Sequence, residues 1–284
     1  MSRIRKMVPL EKDLIYDVGM HKGEDTEYYL KKGFRVVAFD ANPDLVKENR
    51  ERFSQALNEK NLIIIEGAIV NNANIKKIRF YKNLDNTVWG TIDPEWALRN
   101  EKLGTHNQEI EVEPVDFCKC LEIYGMPYYM KIDIEGADEV CLKTLAQFDT
   151  RPNYLSIESE KIDFEKLMHE FEMLTELGYV KFQAIQQMDI HKTRLPYPSK
   201  EGESVSHVFV PDSSGLFGRD LPDHWQSREE ILKEYEKIFL RNKRYGESTW
   251  WRQTKIGLIL SYLISKITGK PFPGWYDTHA RLSE

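Results

Sequence analysis

The chain has 284 residues, which suits one large domain or one domain with a sizeable extension. Its hydrophobic content of 41% is enough for a buried core, and its net charge of −6 gives no general electrostatic reason to bind nucleic acid. The start of the sequence lacks the apolar core of a signal peptide, and the three cysteines lack metal-type spacing, so we expect a cytoplasmic protein with free thiols.

The first part of the chain alternates short apolar strands with helices. The sequence predicts strands at about 14–18, 35–40 and 62–66, with helices at about 24–32 and 43–57 between them. This alternation is typical of a doubly wound α/β fold with a parallel sheet.

The alternation changes in an insertion at about 69–115. Strands are predicted near 78–81 and 109–115, and the second alternates apolar with acidic residues, as half-exposed strands do. We expect this β insertion to fold over the edge of the sheet where a ligand binds.

The parallel pattern resumes after the insertion and completes a predicted seven-stranded, mostly parallel sheet within a domain spanning 1–210. The further elements are strands from about 128 and at 154–158, helices from about 138 and at 164–177, and an antiparallel pair of strands at 179–187 and 205–210. Residues 211–284 are predicted to form a helical C-terminal extension, with one helix over 228–245 and a buried helix in the apolar run 256–264. That run is too short to span a bilayer, so no transmembrane segment is expected.

The turn after the first predicted strand carries Gly19 and Gly23. Glycines let a backbone approach a ligand without a Cβ in the way, and the helix that follows offers unpaired N–H groups. The second strand ends in Asp40, whose carboxylate can bind both hydroxyls of a ribose. Together these features predict a nucleotide-type cofactor site.

Acidic residues follow the predicted parallel strands at the points where the strands end. Because open parallel sheets bind ligands beyond the carboxyl ends of their strands, this set predicts a functional site at that edge. The acids are Asp17, Asp40, Glu66, Asp133 and Glu158.

The spacing of the glycines bears on which cofactor is bound. Dinucleotide sites use G-x-G-x-x-G, and here His21 stands where the second glycine would approach the pyrophosphate. S-adenosylmethionine has no phosphate and fits this turn better. An NAD-dependent oxidoreductase stays as an alternative, and so does a non-catalytic cofactor-binding scaffold.

Four segments at matching order and spacing resemble the FkbM-type methyltransferases. They are Asp17-Val18-Gly19-Met20-His21-Lys22-Gly23, Asp40-Ala41-Asn42-Pro43, Glu66-Gly67-Ala68 and Lys131-Ile132-Asp133-Ile134-Glu135-Gly136-Ala137-Asp138. The resemblance implies a class I methyltransferase (Rossmann-like) fold, S-adenosylmethionine as cofactor, and methyl transfer to a hydroxyl oxygen, often on a sugar or a polyketide. One departure is Asp138, where the family usually has glutamate.

The resemblance also implies roles for individual residues. Gly19 and Gly23 would flank the methionine end of the cofactor, Asp40 would hold the ribose, and Glu66 with Ala68 would border the adenine. Asp17 would reach the amino group of the cofactor through the turn or a water. The cofactor-binding set implied in this way is Asp17, Gly19, Gly23, Asp40, Asn42, Glu66, Ala68 and Asp133.

An alcohol is a poor nucleophile, so a base or a metal should help to remove its proton. The catalytic candidates are Asp133, His21 and His279, with Asp133 as base, orienter of the acceptor or metal ligand. A metal stays open, because Asp133 and Glu158 would together offer hard oxygen ligands to Mg²⁺. The expected partner is a small-molecule or glycan hydroxyl acceptor and not nucleic acid, and a homo-oligomer is left open.

Overall fold

The computed structural model describes residues 5–70, 75–160, 163–245 and 275–283. The chain divides into two compact units. The first comprises residues 1–157, 195–207 and 216–222, and the second comprises 158–194, 208–215 and 223–284.

The strands and helices follow one another along most of the described chain. The strands are β1 (Leu10–Val18), β2 (Arg35–Asp40), β3 (Leu62–Glu66), β4 (Ala68–Ile69), β5 (Ile78–Asn83), β6 (Asn107–Val112), β7 (Pro114–Val115), β8 (Met126–Ile132), β9 (Tyr154–Glu158), β10 (Tyr179–Gln186) and β11 (Tyr276–Leu282). The helices are α1 (Glu24–Lys31), α2 (Pro43–Arg52), α3 (Ser54–Asn58), α4 (Pro94–Lys102), α5 (Phe117–Tyr124), α6 (Asp138–Leu145), α7 (Phe164–Glu176) and α8 (Arg228–Tyr245).

The first unit is organised around parallel strands in the order β3-β2-β1-β8-β9. Strand β1 is central, and residues 14–18 are buried on both faces. Burial on both faces is what a parallel sheet covered by helices requires, and it explains the continuous apolar run in the sequence. The predicted α/β fold with a mostly parallel sheet is confirmed, and β2, β3 and β9 have the predicted bounds.

The predicted insertion contains an antiparallel pair of strands, β5 and β6. Between them lies helix α4, which was not predicted from the sequence. The side chain of Asp93 accepts hydrogen bonds from the backbone N–H groups of Glu95 and Trp96, and Pro94 occupies the first helical position. An acidic N-cap followed by proline is a helix-start signal, so this helix was predictable.

The second unit corrects the prediction for the last strands. Strand β10 pairs in antiparallel fashion with β11 and not with 205–210, which forms no strand. Burial alternates over these residues, with Val208 76% exposed and Phe209 buried, so the pattern that suggested a strand is real but the segment pairs with none of the described strands. The predicted helical extension therefore contains a strand, while its helix at 228–245 is confirmed as α8.

Two predictions are not tested by these residues. The apolar run 256–264 lies outside the described part of the chain, and the predicted domain boundary after residue 210 stays a prediction. Across the described ranges, none of the helices combines the length and the apolar composition needed to cross a membrane.

Candidate active site

The turn between β1 and α1, residues 19–23, lies at the carboxyl end of the parallel sheet and is called the glycine turn below. The backbone N–H groups of Gly19 and Met20 both donate to the carbonyl oxygen of Phe39, at 3.0 and 2.9 Å. These two hydrogen bonds attach the turn to the end of β2, next to Asp40.

The glycines of this turn serve a different purpose from the one predicted. Gly19 has φ +92°, and a methyl group on its Cα would overlap the carbonyl oxygen of Asp133. A methyl group on Gly23 would press on the ring of Phe53 and on the side chain of Asn49. The expectation that the missing Cβ atoms make room for a ligand is therefore wrong, because the protein itself fills that space.

Asp40 ends β2 with its carboxylate fixed by two backbone groups. Oδ2 accepts the N–H of His21 and Oδ1 accepts the N–H of Asn42, both at 2.8 Å. Each carboxylate oxygen can accept a second hydrogen bond. The side chain is thus held in one orientation and keeps acceptor capacity for a pair of hydroxyl groups.

Burial raises the pKa of Asp40 to about 6, and the hydrogen bonds from Asn42 and His21 offset only part of this effect. The cause is the cost of placing a carboxylate charge away from water. The carboxylate is therefore ionised at neutral pH and takes up a proton in mildly acidic solution.

Asp17 lies fully buried beneath the glycine turn, where its carboxylate is paired inside the protein. Thr26 Oγ1 donates to its Oδ2 at 2.6 Å, and Lys131 Nζ lies 3.4 Å from its Oδ1. Burial raises the pKa of Asp17, against the opposing effects of Lys131 and Thr26. Asp17 would therefore act on the amino group of a cofactor through the glycine turn, which is one of the two routes predicted from the sequence.

Lys131 joins this pair to the rest of the site and was not among the predicted functional residues. It is 5% exposed, lies opposite Asp17 in the register of β1 and β8, and donates from Nζ to the carbonyl oxygen of Gly19 at 2.8 Å. Its Nζ also lies 3.5 Å from Asp25 Oδ2 and 3.8 Å from Asp133 Oδ2. The sequence signal that could have predicted its role is its position two residues before Asp133, near the end of a predicted parallel strand.

Asp133 follows β8 directly and lies beside the glycine turn. Its backbone N–H donates to the carbonyl oxygen of Val18 at 2.8 Å, and its carbonyl oxygen packs on the Cα of Gly19. The side chain is 44% exposed and so remains open to a ligand. The structure thus brings Asp133 together with the turn, as predicted from residues more than a hundred positions apart.

The predicted insertion packs on the glycine turn and on the loop after β8. His21 Nε2 hydrogen-bonds Thr87 Oγ1 at 2.7 Å, and Thr91 Oγ1 donates to the carbonyl oxygen of Glu135 at 2.7 Å. The indole of Trp96 lies against Gly136. These contacts agree with the expectation that the insertion folds over the ligand edge of the sheet.

The two histidine candidates belong to different units. His21 is part of the glycine turn, with Nδ1 3.3 Å from Glu24 Oε1. His279 lies on β11 in the second unit, is 1% exposed, and its Nε2 has no hydrogen-bond partner among the described residues. Burial lowers the pKa of His279 to about 3, so its ring is neutral at physiological pH. Its catalytic role stays a prediction.

Three further residues predicted to bind the cofactor have contacts of their own. Asn42 accepts the N–H of Asp44 and so caps the start of α2. Glu66 is exposed and pairs with Arg50 at 2.7 Å, and Ala68 is buried in β4. Their contacts with a cofactor remain predictions.

The pair predicted to bind Mg²⁺ is divided between the units, because Glu158 is the first residue of the second one. A magnesium requirement stays a prediction.

The first turn of α1 carries Glu24, Asp25 and Glu27. Acidic side chains in this first turn weaken the usual attraction of a helix N-terminus for an anion such as pyrophosphate. S-adenosylmethionine has no phosphate, and its sulfonium and ammonium groups outweigh its single carboxylate, so the acidic residues present fit it better than a dinucleotide.

The sequence model of the methyltransferase FkbM domain matches residues 17–181, which is more than half of the chain. The chain belongs to the FkbM methyltransferase family. The match covers the glycine turn, Asp40, the insertion and Asp133, and it confirms the resemblance noted in the sequence. A comparison with curated proteins gives no match.

Solved structures of methyltransferases are similar to the chain at low sequence identity. The FkbM methyltransferase of Methylobacillus flagellatus is 17% identical, with a TM-score of 0.37, and the match covers 62% of this chain and 40% of that one. A precorrin-6y C5,15-methyltransferase from Geobacter metallireducens is 10% identical, with a TM-score of 0.37, covering 99% and 85% of the two chains. A Streptococcus mutans protein assigned as a methyltransferase, in complex with SAH, is 14% identical, with a TM-score of 0.32, covering 69% and 86%.

Proposed function

We propose that this FkbM-family methyltransferase uses S-adenosylmethionine to methylate a hydroxyl oxygen of a small molecule or a glycan. The glycine turn and Asp40 form the cofactor site, and Asp133 handles the acceptor hydroxyl. A sugar or a polyketide-like alcohol is the acceptor class that we infer.

The observation that carries the cofactor proposal is the carboxylate of Asp40 at the carboxyl end of β2. Its two oxygens are fixed by the N–H groups of His21 and Asn42 and can still accept hydrogen bonds from two hydroxyl groups. A ribose offers two adjacent hydroxyl groups of this kind, and charge-assisted hydrogen bonds of this type are the stronger ones.

Bound S-adenosylmethionine supplies a methyl group on a positively charged sulfur, already activated for transfer. The protein must place an acceptor oxygen in line with that methyl group, and positioning alone contributes much of the rate. Asp133 suits this task because it is partly exposed and lies next to the glycine turn. Its carboxylate accepts the hydrogen bond of the acceptor hydroxyl and orients it, or takes its proton as the bond to the methyl group forms.

The other two candidate functions are weaker. An NAD-dependent oxidoreductase lacks support, because the family is one of methyltransferases and the first turn of α1 is acidic. A non-catalytic scaffold would not need a partly exposed carboxylate beside the cofactor site, but only a transfer assay separates it from an enzyme.

The test is an assay with S-adenosylmethionine labelled in its methyl group, against a panel of sugars, glycans, polyketide-like alcohols and RNA. We expect a methyl ether on a hydroxyl acceptor, formed in step with S-adenosylhomocysteine, and a loss of about a hundredfold in rate for Asp133→Asn. Label on a nitrogen atom or on RNA would overturn the acceptor class. Cofactor binding without transfer to any member of the panel would favour the scaffold.

A further inference from the structure

Lys131 is the buried cation around which the glycine turn and the start of α1 are arranged. An ammonium group has three N–H donors and is costly to bury without partners. Here one donor reaches the carbonyl oxygen of Gly19 at 2.8 Å, and the carboxylates of Asp17 and Asp25 lie 3.4 and 3.5 Å away. Asp17 and Asp25 are almost fully buried, and this cation stabilises their charges.

The carbonyl of Gly19 is the link between Lys131 and the cofactor site. Gly19 is held at φ +92° with the carbonyl of Asp133 packed on its Cα. Lys131 binds the carbonyl oxygen of Gly19, so a lysine of β8 fixes the orientation of the backbone at this point of the turn. The same Nζ lies 3.8 Å from Asp133 Oδ2, which ties the carboxylate of Asp133 to the turn.

We propose that Lys131 is a positioning residue for methyl transfer, which holds the glycine turn in the shape that receives the amino-acid end of the cofactor. The inference rests on the proposed cofactor. It assigns the two ends of the ligand to different elements, with the adenosine end on Asp40 of β2 and the amino-acid end on the turn that Lys131 supports.

Removing Lys131 alone is a poor test, because two buried carboxylates would lose their cation and the variant would be strongly destabilised. The double variant Lys131→Met with Asp25→Asn removes one charge of each sign. Asp17 keeps its hydrogen bond from Thr26, and burial, which already raises its pKa, favours its neutral form more strongly once the cation is lost. Asp25→Asn alone is the reference, and Lys143→Met removes an exposed lysine as a matched control.

The experiment is isothermal titration calorimetry with S-adenosylhomocysteine and with 5′-methylthioadenosine, which lacks the amino-acid part. Melting temperatures are recorded for each variant to separate folding from binding. We expect the double variant to lose about tenfold or more in affinity for S-adenosylhomocysteine relative to Asp25→Asn, while its affinity for methylthioadenosine stays within about threefold. Lys143→Met should bind both ligands like the wild type.

Two results would overturn the inference. Equal losses for the two ligands would mean that Lys131 only supports the fold, and unchanged affinity for both would mean that it does not shape the turn. A wild-type protein that binds neither ligand would contradict the proposed cofactor itself, and the inference with it.

Discussion

Replacing Asp40 with alanine removes the carboxylate that the N–H groups of His21 and Asn42 hold in place. If this carboxylate binds the ribose, the affinity for S-adenosylhomocysteine should fall by about a hundredfold or more, because two charge-assisted hydrogen bonds are lost. Calorimetry measures the change. Asp13→Ala, which removes an exposed acid in the first half of β1, should leave the affinity unaltered, and an equal loss in both variants would contradict the assignment.

The raised pKa of Asp40 predicts how cofactor binding depends on pH. In the protein without cofactor, the carboxyl group of Asp40 keeps its proton up to a pH of about 6, because burial disfavours the ionised form. Only the ionised form accepts both ribose hydroxyls, so the affinity for S-adenosylhomocysteine should fall as the pH drops through this value. Titrations between about pH 5 and pH 8 check the trend. In Asp40→Asn the inflection should disappear, and its persistence would place the titrating group elsewhere.

The contact between Gly19 and Asp133 predicts a large cost for a single methyl group. Gly19→Ala should lower the free energy of unfolding by about 3 kcal/mol or more, since the new Cβ would overlap the carbonyl of Asp133 in a left-handed conformation. Gly104→Ala is the matched control, because Gly104 has nearly the same φ of +93° with nothing close to its missing Cβ. That control should cost about 1 kcal/mol. Urea denaturation of both variants gives the difference, and equal costs would mean that the overlap relaxes without penalty.

At the scale of elements, β11 is held in the second unit by buried hydroxyl groups as well as by its pairing with β10. Ser159, Tyr235 and Thr278 form a triangle in which the oxygens are 2.5 to 2.7 Å apart. Three hydroxyl protons are enough for three hydrogen bonds, so each group donates once and accepts once.

Breaking this triangle should destabilise the second unit in a coupled way. Thr278→Val and Tyr235→Phe should each cost about 1 to 2 kcal/mol, because each leaves buried hydroxyl partners unsatisfied. The double variant should cost less than the sum by about 0.5 kcal/mol or more. Chemical denaturation supplies the three values, and strict additivity would show that the hydroxyls act independently.

The elements differ in how well their sequences reveal them. Strands such as β2 and β3 bury apolar residues, so their pattern alone predicts them. Strand β11 buries Asp277, Thr278 and His279, whose polarity hides the strand until its partners are known. Helix α4 is recognisable from Asp93 and Pro94, but its apolar residues form no clear buried face, since Leu98 is 52% exposed.

The same limit applies to the site. Asp40 and Asp133 were predictable because an acid at the end of a parallel strand faces the ligand edge. The role of Lys131 was not predicted, because its neighbours Asp17 and Asp25 lie more than a hundred positions away in the sequence. The glycines were found for the wrong reason, since only the structure shows that Asp133 and Phe53 occupy the space beside them.

For the whole molecule, the family match and the cofactor residues concern mostly the first unit. All eight residues proposed to bind the cofactor lie within 17–133, inside the matched range 17–181. The proposed acceptor class has less support from the family match, because most of the second unit lies beyond the matched range. The choice of acceptor is therefore the part of the function that the family leaves open.

Binding of S-adenosylmethionine at the glycine turn and Asp40 is the proposal on which the others depend. The decisive measurement is isothermal titration calorimetry of the wild-type protein with S-adenosylhomocysteine, because this reaction product can be used without knowing the acceptor. We expect a one-site isotherm that is unchanged when NADH is present. An absence of binding by the intact protein, or displacement by NADH, would contradict it.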